Sequence, residues 1–404
     1  MEQQIRDQVD WPQAFPPEEY AARQTRLKSA LSAAELDGIL VTEPRDLYYL
    51  TGYDQIWQHH LGVIGLYVRT ATGERLFFDS AAHQVIVATT PEIGEVLYHP
   101  RGTGRDQARF VARELTARGW DKGRIALQTW GYGPHPDLLR AIGADLPGAT
   151  IVEDSTLIED LRLIKSTREI AVVRQAAEIA KEAMAPARDA LRPDLAETEI
   201  AAVIAAECMN RGCGDPGIRT MIGSGPRSGC HHGPASARRL KAGDIVHIDF
   251  CASLHRYHVN ISRTFALGEV DRRWHDLMAA SAGCMDAIAA EAKPGEPYSR
   301  IQEIADRFIA DAGIDPAWIW LIGGYVLGIA FPPDWVHRHR PAPREIVPDP
   351  VMAPGMVFNY ENQYDVLEGW PGGTGVGVID SFLMGDDGLE ILTDLPRELI
   401  VAGG

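Results

Sequence analysis

From Glu18 to Ala34 apolar and alanine positions recur at helical spacing, and the run stops before Asp37-Gly38, which predicts a helix. Short apolar runs then alternate with polar breaks at 38–41, 62–68, 75–78 and 124–128, and each predicts a strand. Between them Asp106 to Trp120 carries apolar residues at i, i+3 and i+4, the spacing of a helix with one buried face. Strands alternating with helices predict an α/β layer, a first domain covering residues 1–160.

The pattern changes at Ser166-Thr167-Arg168-Glu169, an S-x-x-E capping box ahead of Ile170, Val173, Ala177, Ala180 and Met184. A long amphipathic helix is predicted there, with further helices over 195–211, 271–292 and 299–312, the last opened by an S-x-x-Q box. The β-rich runs 245–250, 357–360 and 376–384, bounded by Gly or Pro, predict strands. Residues 161–404 therefore read as an α+β domain, helices packed over a mostly antiparallel sheet, with Arg338–Asp349 as its most loop-like stretch.

A chain of 404 residues is long for one core, which agrees with two domains. Its formal charge of −17 repels phosphate backbones and anionic membrane surfaces, so neither nucleic acid nor membrane is expected as a partner. Five cysteines, none in a C-x-x-C pair, argue against a disulfide framework or zinc knuckle and point to a reducing cytoplasm. Met1 to Asp10 has no signal-peptide pattern, and no run of about 20 apolar residues occurs.

The segment Lys241 to Phe250 (KAGDIVHIDF), followed by His258-Val-Asn260-Ile-Ser-Arg263-Thr-Phe265, resembles the creatinase, prolidase and aminopeptidase P family. Further matches come in that family's order: His232 upstream, then Pro354 to Glu361 (PGMVFNYE) and Gly375 to Asp380 (GVGVID). In the first half Asp46 to Gly52 (DLYYLTG) is similar to the family's smaller domain. The resemblance implies a pita-bread catalytic domain, a homodimer and a hydrolase.

The family's peptidases hold two metal ions with two aspartates, one histidine and two glutamates. On this chain those positions are Asp249, Asn260, Tyr325, Glu361 and Ile379, so only Asp249 and Glu361 keep the expected type. A second family histidine falls on Pro332. Two carboxylates do not offset the dehydration of two divalent cations, and no metal is expected. Creatinase is the family's metal-free precedent, with histidine and glutamate at the positions of His232 and Glu361; its other glutamate is Ser262 here. The stretch Ile329 to Trp335 (IAFPPDW) resembles the ectoine hydrolases.

These resemblances imply that His232 carries a proton and Glu361 acts as base or cation holder, with His231 as the adjacent register. Asp249, Asn260, Tyr325, Asp380 and Arg263 are expected around a small-molecule substrate, although an Asp249–Arg263 ion pair would explain both equally well. Trp57 and His60 match in position the loop with which family dimers reach the neighbouring subunit's site; an exposed loop is the alternative. The expected reaction is metal-independent hydrolysis of a C–N bond in a small zwitterionic nitrogen metabolite. An Xaa-Pro metallopeptidase using Mn, Co or Zn, or a non-catalytic binding protein, are the alternatives.

Overall fold

The structure, a computed structural model, describes residues 2–9, 11–55, 62–129, 131–153, 156–230, 232–332, 349–365 and 373–402. The chain divides into two compact units, Met1–Arg162 and Leu163–Gly404. The expectations for Trp57, His60 and His231, and for all of the 338–349 loop but Asp349, fall outside the described residues.

In the first unit α1 (Glu2–Gln8) and α2 (Pro17–Ala33) lead into β1 (Gly38–Val41), α3 (Pro44–Thr51), β2 (Gly65–Arg69), β3 (Arg75–Asp79), α4 (Gln84–Thr89) and β4 (Glu95–Tyr98). Then come α5 (Gly104–Ala117), β5 (Gly123–Leu127), α6 (Pro136–Ala144), β6 (Ala149–Glu153) and α7 (Leu157–Leu161). The six strands form one mixed sheet, β4-β3-β2-β1-β5-β6, with β2 antiparallel to both β1 and β3 and parallel pairing for β3–β4, β1–β5 and β5–β6. Apolar stripes of α5 and α6 cover one face through Ala108, Val111, Leu115, Leu139 and Ile142. The helix α3 had no signal in the periodicity: all eight residues are buried, Arg45 and Asp46 included, so its polar positions do not mark a solvent face. Asp46 is instead held by Gln128 and Arg162.

The second unit opens with α8 (Thr167–Ala190), whose capping box forms as the sequence predicts: Glu169 N donates to Ser166 Oγ and Ser166 N to Glu169 Oε2. There follow α9 (Glu197–Asn210), β7 (Met221–Ser224), β8 (Ile245–Leu254), β9 (Tyr257–Leu267), α10 (Arg272–Glu291), α11 (Arg300–Asp311) and β10 (Ile319–Val326). The chain ends through β11 (Val357–Asp365), β12 (Gly375–Met384), β13 (Leu389–Ile391) and β14 (Ile400–Ala402). At α11 the expected S-x-x-Q box does not form: Ser299 makes no side-chain cap, and Gln302 donates to Asp306 instead. The main sheet runs β10-β11-β12-β9-β8-β7, antiparallel throughout, and β14 adds to β9 in parallel.

Even-numbered residues of β11 and β12 (Phe358, Tyr360, Tyr364, Val376, Val378, Phe382) belong to the core beneath α10 and α11. Alternation then turns odd-numbered residues of these strands to the opposite face. Among the described residues no helix is long and apolar enough to cross a membrane.

Candidate active site

Pairing register sorts the side chains opposite the helices into three rows across four strands. The first row is Cys251, Asn260, Ser381 and Asn359, with Tyr325 at its β10 end. The middle row is Asp249, Ser262, Ile379 and Glu361, with Gly323 at its end. The third is His247, Thr264, Gly377 and Gln363.

Hydrogen bonds close the first row. Asn260 Nδ2 donates to Asp249 Oδ1 (2.8 Å), and Asn359 Nδ2 donates to Asn260 Oδ1 and to Glu361 Oε1 (both 3.0 Å). Tyr325 OH donates to the same Glu361 Oε1 (2.8 Å). Both asparagines are fully buried, so these bonds are made without competition from water.

In the middle row Asp249 and Glu361 are therefore each tied by one oxygen. Their other oxygens, Oδ2 and Oε2, have no hydrogen bond among the described residues. Burial pushes the Asp249 carboxyl up to about 8, helped by the neighbouring charge of Glu361 and opposed by the Asn260 hydrogen bond. Burial also raises Glu361, against the donors Tyr325 and Asn359. At neutral pH the row thus holds a proton on Asp249 that an entering cation can displace. Between the acids lie Ser262, whose buried Oγ has no partner, and the apolar Ile379; a Cβ at Gly323 would meet nothing within 4 Å.

The third row is a relay. Thr264 Oγ1 donates to Gly377 O (2.8 Å) and accepts from Gly377 N (3.1 Å). With its proton committed, it accepts from His247 Nδ1 at 3.0 Å, which leaves His247 Nε2 as an acceptor facing Gln363 Nε2 at 3.1 Å. Burial pushes His247 down to about 4, so the ring is neutral at pH 7. Gln363 reaches it across β12 because Gly377 has no side chain: a Cβ there would meet Gln363 Cγ at 2.5 Å.

The structure brings Asp249, Asn260, Tyr325 and Glu361 together and separates Arg263 and Asp380 from them. Those two occupy the out-of-phase positions of β9 and β12, on the helix face of the sheet, so neither joins the expected substrate group. Arg263 Nη2 donates to Asp380 Oδ1 (2.8 Å) and Arg397 Nε to Asp380 Oδ2 (2.5 Å), while Arg263 also caps the carbonyls of Ser262, Ile379, Thr393, Leu395 and Pro396. The alternative Asp249–Arg263 pair is excluded by the same alternation.

His232 is exposed, at a turn with φ 59°. None of the contacts of Asp249 or Glu361 among the described residues includes it. Its loop is pinned beside the third row: Gly375 N donates to Ser228 Oγ, Gly229 N donates to Gly373 O, and Pro234 bridges Met221. His247, Ser262, Asn359 and Gln363 line the face without having been assigned roles from sequence. Period-2 counting from Asp249, Asn260 and Glu361 is the signal that reaches them.

A two-metal cluster does not fit these donors. Where a second carboxylate, a histidine and a last glutamate would coordinate, Asn260 and Tyr325 instead direct hydrogens at the two remaining acids, and Ile379 offers no donor atom. Among the described residues no group of three or more His, Cys, Asp or Glu is placed to hold a metal ion.

Comparison with known proteins agrees with this architecture. Residues 171–386 match the Metallopeptidase family M24 and residues 23–164 the Creatinase/Prolidase N-terminal domain. The ectoine hydrolase of Halomonas elongata is 24% identical, covering 96% of this chain and 98% of its own. The Xaa-Pro dipeptidase of Pyrococcus furiosus is 29% identical over 56% of this chain and 61% of its own. Among solved structures the dipeptidase PepE from Mycobacterium ulcerans superposes with a TM-score of 0.79 at 22% identity, covering 96% of this chain and 100% of that one. With a pita-bread α+β unit following an α/β unit and both signatures in place, the chain belongs to the metallopeptidase family M24, as a hydrolase with a Creatinase/Prolidase N-terminal domain.

Proposed function

We propose that the chain is a metal-independent hydrolase that cleaves a C–N bond of a small zwitterionic nitrogen metabolite. The observation that carries this reading is the middle row: two buried acids, each with one oxygen tied by an amide or phenol donor and the other without a hydrogen bond. Such a pair takes a cationic nitrogen where the family's peptidases take metal, because an opposite charge at short range offsets the desolvation of both carboxylates. Asp249 Oδ2 and Glu361 Oε2 hold that nitrogen, and water attacks the carbon bonded to it. His232, on the loop beside the third row, passes a proton from water to the leaving nitrogen, a step typically worth about 10²- to 10⁴-fold. Likeness to an ectoine hydrolase over nearly the whole chain supports this choice.

The second reading, an Xaa-Pro metallopeptidase, is supported by the Xaa-Pro dipeptidase relative and the dipeptidase fold. Screening ectoine, creatine, other amidines and X-Pro dipeptides, before and after exhaustive chelation, separates the two. Turnover of an amidine or guanidino compound that survives chelation, and is lost in His232→Ala with the fold intact, is the expected result. Activity lost with chelator and restored by Mn, Co or Zn would transfer the chain to the peptidases. The proposal includes a homodimer; a single species of 44.3 kDa by light scattering would remove that part.

A further inference from the structure

The third row has the geometry of a second ligand contact, and nothing in the reaction outlined above uses it. Both ring nitrogens of His247 are held by other strands, Nδ1 by Thr264 and Nε2 by Gln363. Thr264 gives its proton to Gly377 O and so takes one from Nδ1, which leaves the Nε2 lone pair on the sheet face that carries the acids. Gln363 Nε2 is its partner, donating at 3.1 Å with its side chain lying over Gly377. His247 is partly exposed, whereas His258, also on this face, is 1% exposed and spends both nitrogens on Arg256 O and Gly217 N. The unpartnered, fully buried Ser262 Oγ lies in the middle row, opposite Asp249 and diagonal to His247.

Residues two apart on a strand repeat every ~6.8 Å. Two hydrogen bonds of about 2.9 Å each, carried by neighbouring nitrogens of one planar N–C–N group, span about that distance. An ammonium, with a single nitrogen, reaches one row only.

We infer that His247 is a specificity-determining residue whose Nε2 accepts an N–H from the second nitrogen of an amidinium or guanidinium ligand, the first nitrogen lying between Asp249 and Glu361. The inference rests on the cation reading of the middle row and narrows it to planar two-nitrogen cations. Gln363 swings off Nε2 as the ligand enters. Ser262 Oγ, beneath the N–C–N plane, is an acceptor for a remaining N–H.

Titration calorimetry on the full chain at mildly alkaline pH, with acetamidinium and methylammonium as probes, tests this. The wild-type chain binds acetamidinium the more tightly. His247→Ala weakens acetamidinium by about tenfold or more, as expected for a lost hydrogen bond to a charged group, and changes methylammonium less than about twofold. His247→Gln, which keeps an acceptor near Nε2, restores most of the preference. If His247→Ala fails to show a cooperative thermal transition, Gln363→Met decides. It removes the donor competing for Nε2, so acetamidinium binding tightens and methylammonium binding does not. Equal losses for both probes in His247→Ala, or no change in Gln363→Met, overturn the role of His247 and leave the cation row standing. Failure of the wild-type chain to bind either probe overturns both.

Discussion

Cation binding in the middle row should tighten as pH rises, through the displacement of one proton. Asp249 holds its proton up to about pH 8 because it is buried and faces Glu361. A cation between Oδ2 and Oε2 requires the carboxylate form, so binding below that pKa expels the proton. Linkage then sets the slope: each unit below the free-state pKa weakens apparent affinity about tenfold. Relative to the alkaline plateau, acetamidinium should bind about tenfold more weakly at pH 7 and about a hundredfold more weakly near pH 6. Calorimetry in two buffers of different ionisation enthalpy reads the proton count directly: about one released per cation near pH 6, falling toward zero near pH 9. Asp249→Asn should abolish both the slope and the release. An affinity that is flat from about pH 6 to 9 with no proton released would refute the reasoning, because it would mean that the acids are already ionised or do not touch the ligand.

Three further outcomes follow from the same geometry. Asp249→Asn should stabilise the fold: the folded acid keeps its proton to about 8 while an unfolded aspartate ionises near 3.9, so stability is lost as pH rises through that window. Thermal melts should show a gain of up to about 4 kcal/mol at pH 7, larger near pH 9 and small near pH 4. Asp380→Asn should destabilise by about 3–5 kcal/mol in denaturant titrations, since it uncouples Arg263 and Arg397 in a buried cluster. The same variant should leave acetamidinium affinity, measured well below its melting point, within about twofold. Protein dialysed against chelator and then Mn should carry well under one metal per chain by elemental analysis, whereas the triple change Asn260→Asp, Tyr325→His, Ile379→Glu should restore stoichiometric metal.

What the sequence made legible was set by period and motif, and what it hid was set by facing. Both layers, the α8 capping box and the acids Asp249 and Glu361 could be placed from spacing and resemblance. Arg263 and Asp380 were drawn in because they sit inside the motifs. Yet Arg263 is three residues past Asn260, and two strand residues an odd number apart point to opposite faces. The same counting from Asp249 reaches His247, and from Glu361 it reaches Gln363; both are within two residues of a motif acid. Polar α3 residues and the uncapped Ser299 follow from tertiary partners that no local pattern encodes. The strand β10 has the same cause, its pairing partner β11 lying in a separate stretch of sequence.

All three rows cross one join. The β8–β9 hairpin carries Asp249 and His247, the β11–β12 hairpin carries Glu361 and Gln363, and α10, α11 and β10 intervene in the chain. The hairpins meet along β9 and β12, through Ser262 opposite Ile379, Asn260 against Ser381 and Thr264 against Gly377. Neither hairpin alone holds a pair of facing acids, so the ligand site comes into being only when this late, long-range contact closes. A cation that binds only the closed form draws the two hairpins together. Its affinity and the free energy of closing that join are then linked quantities, and amide exchange at β9 and β12 should slow in step with ligand occupancy.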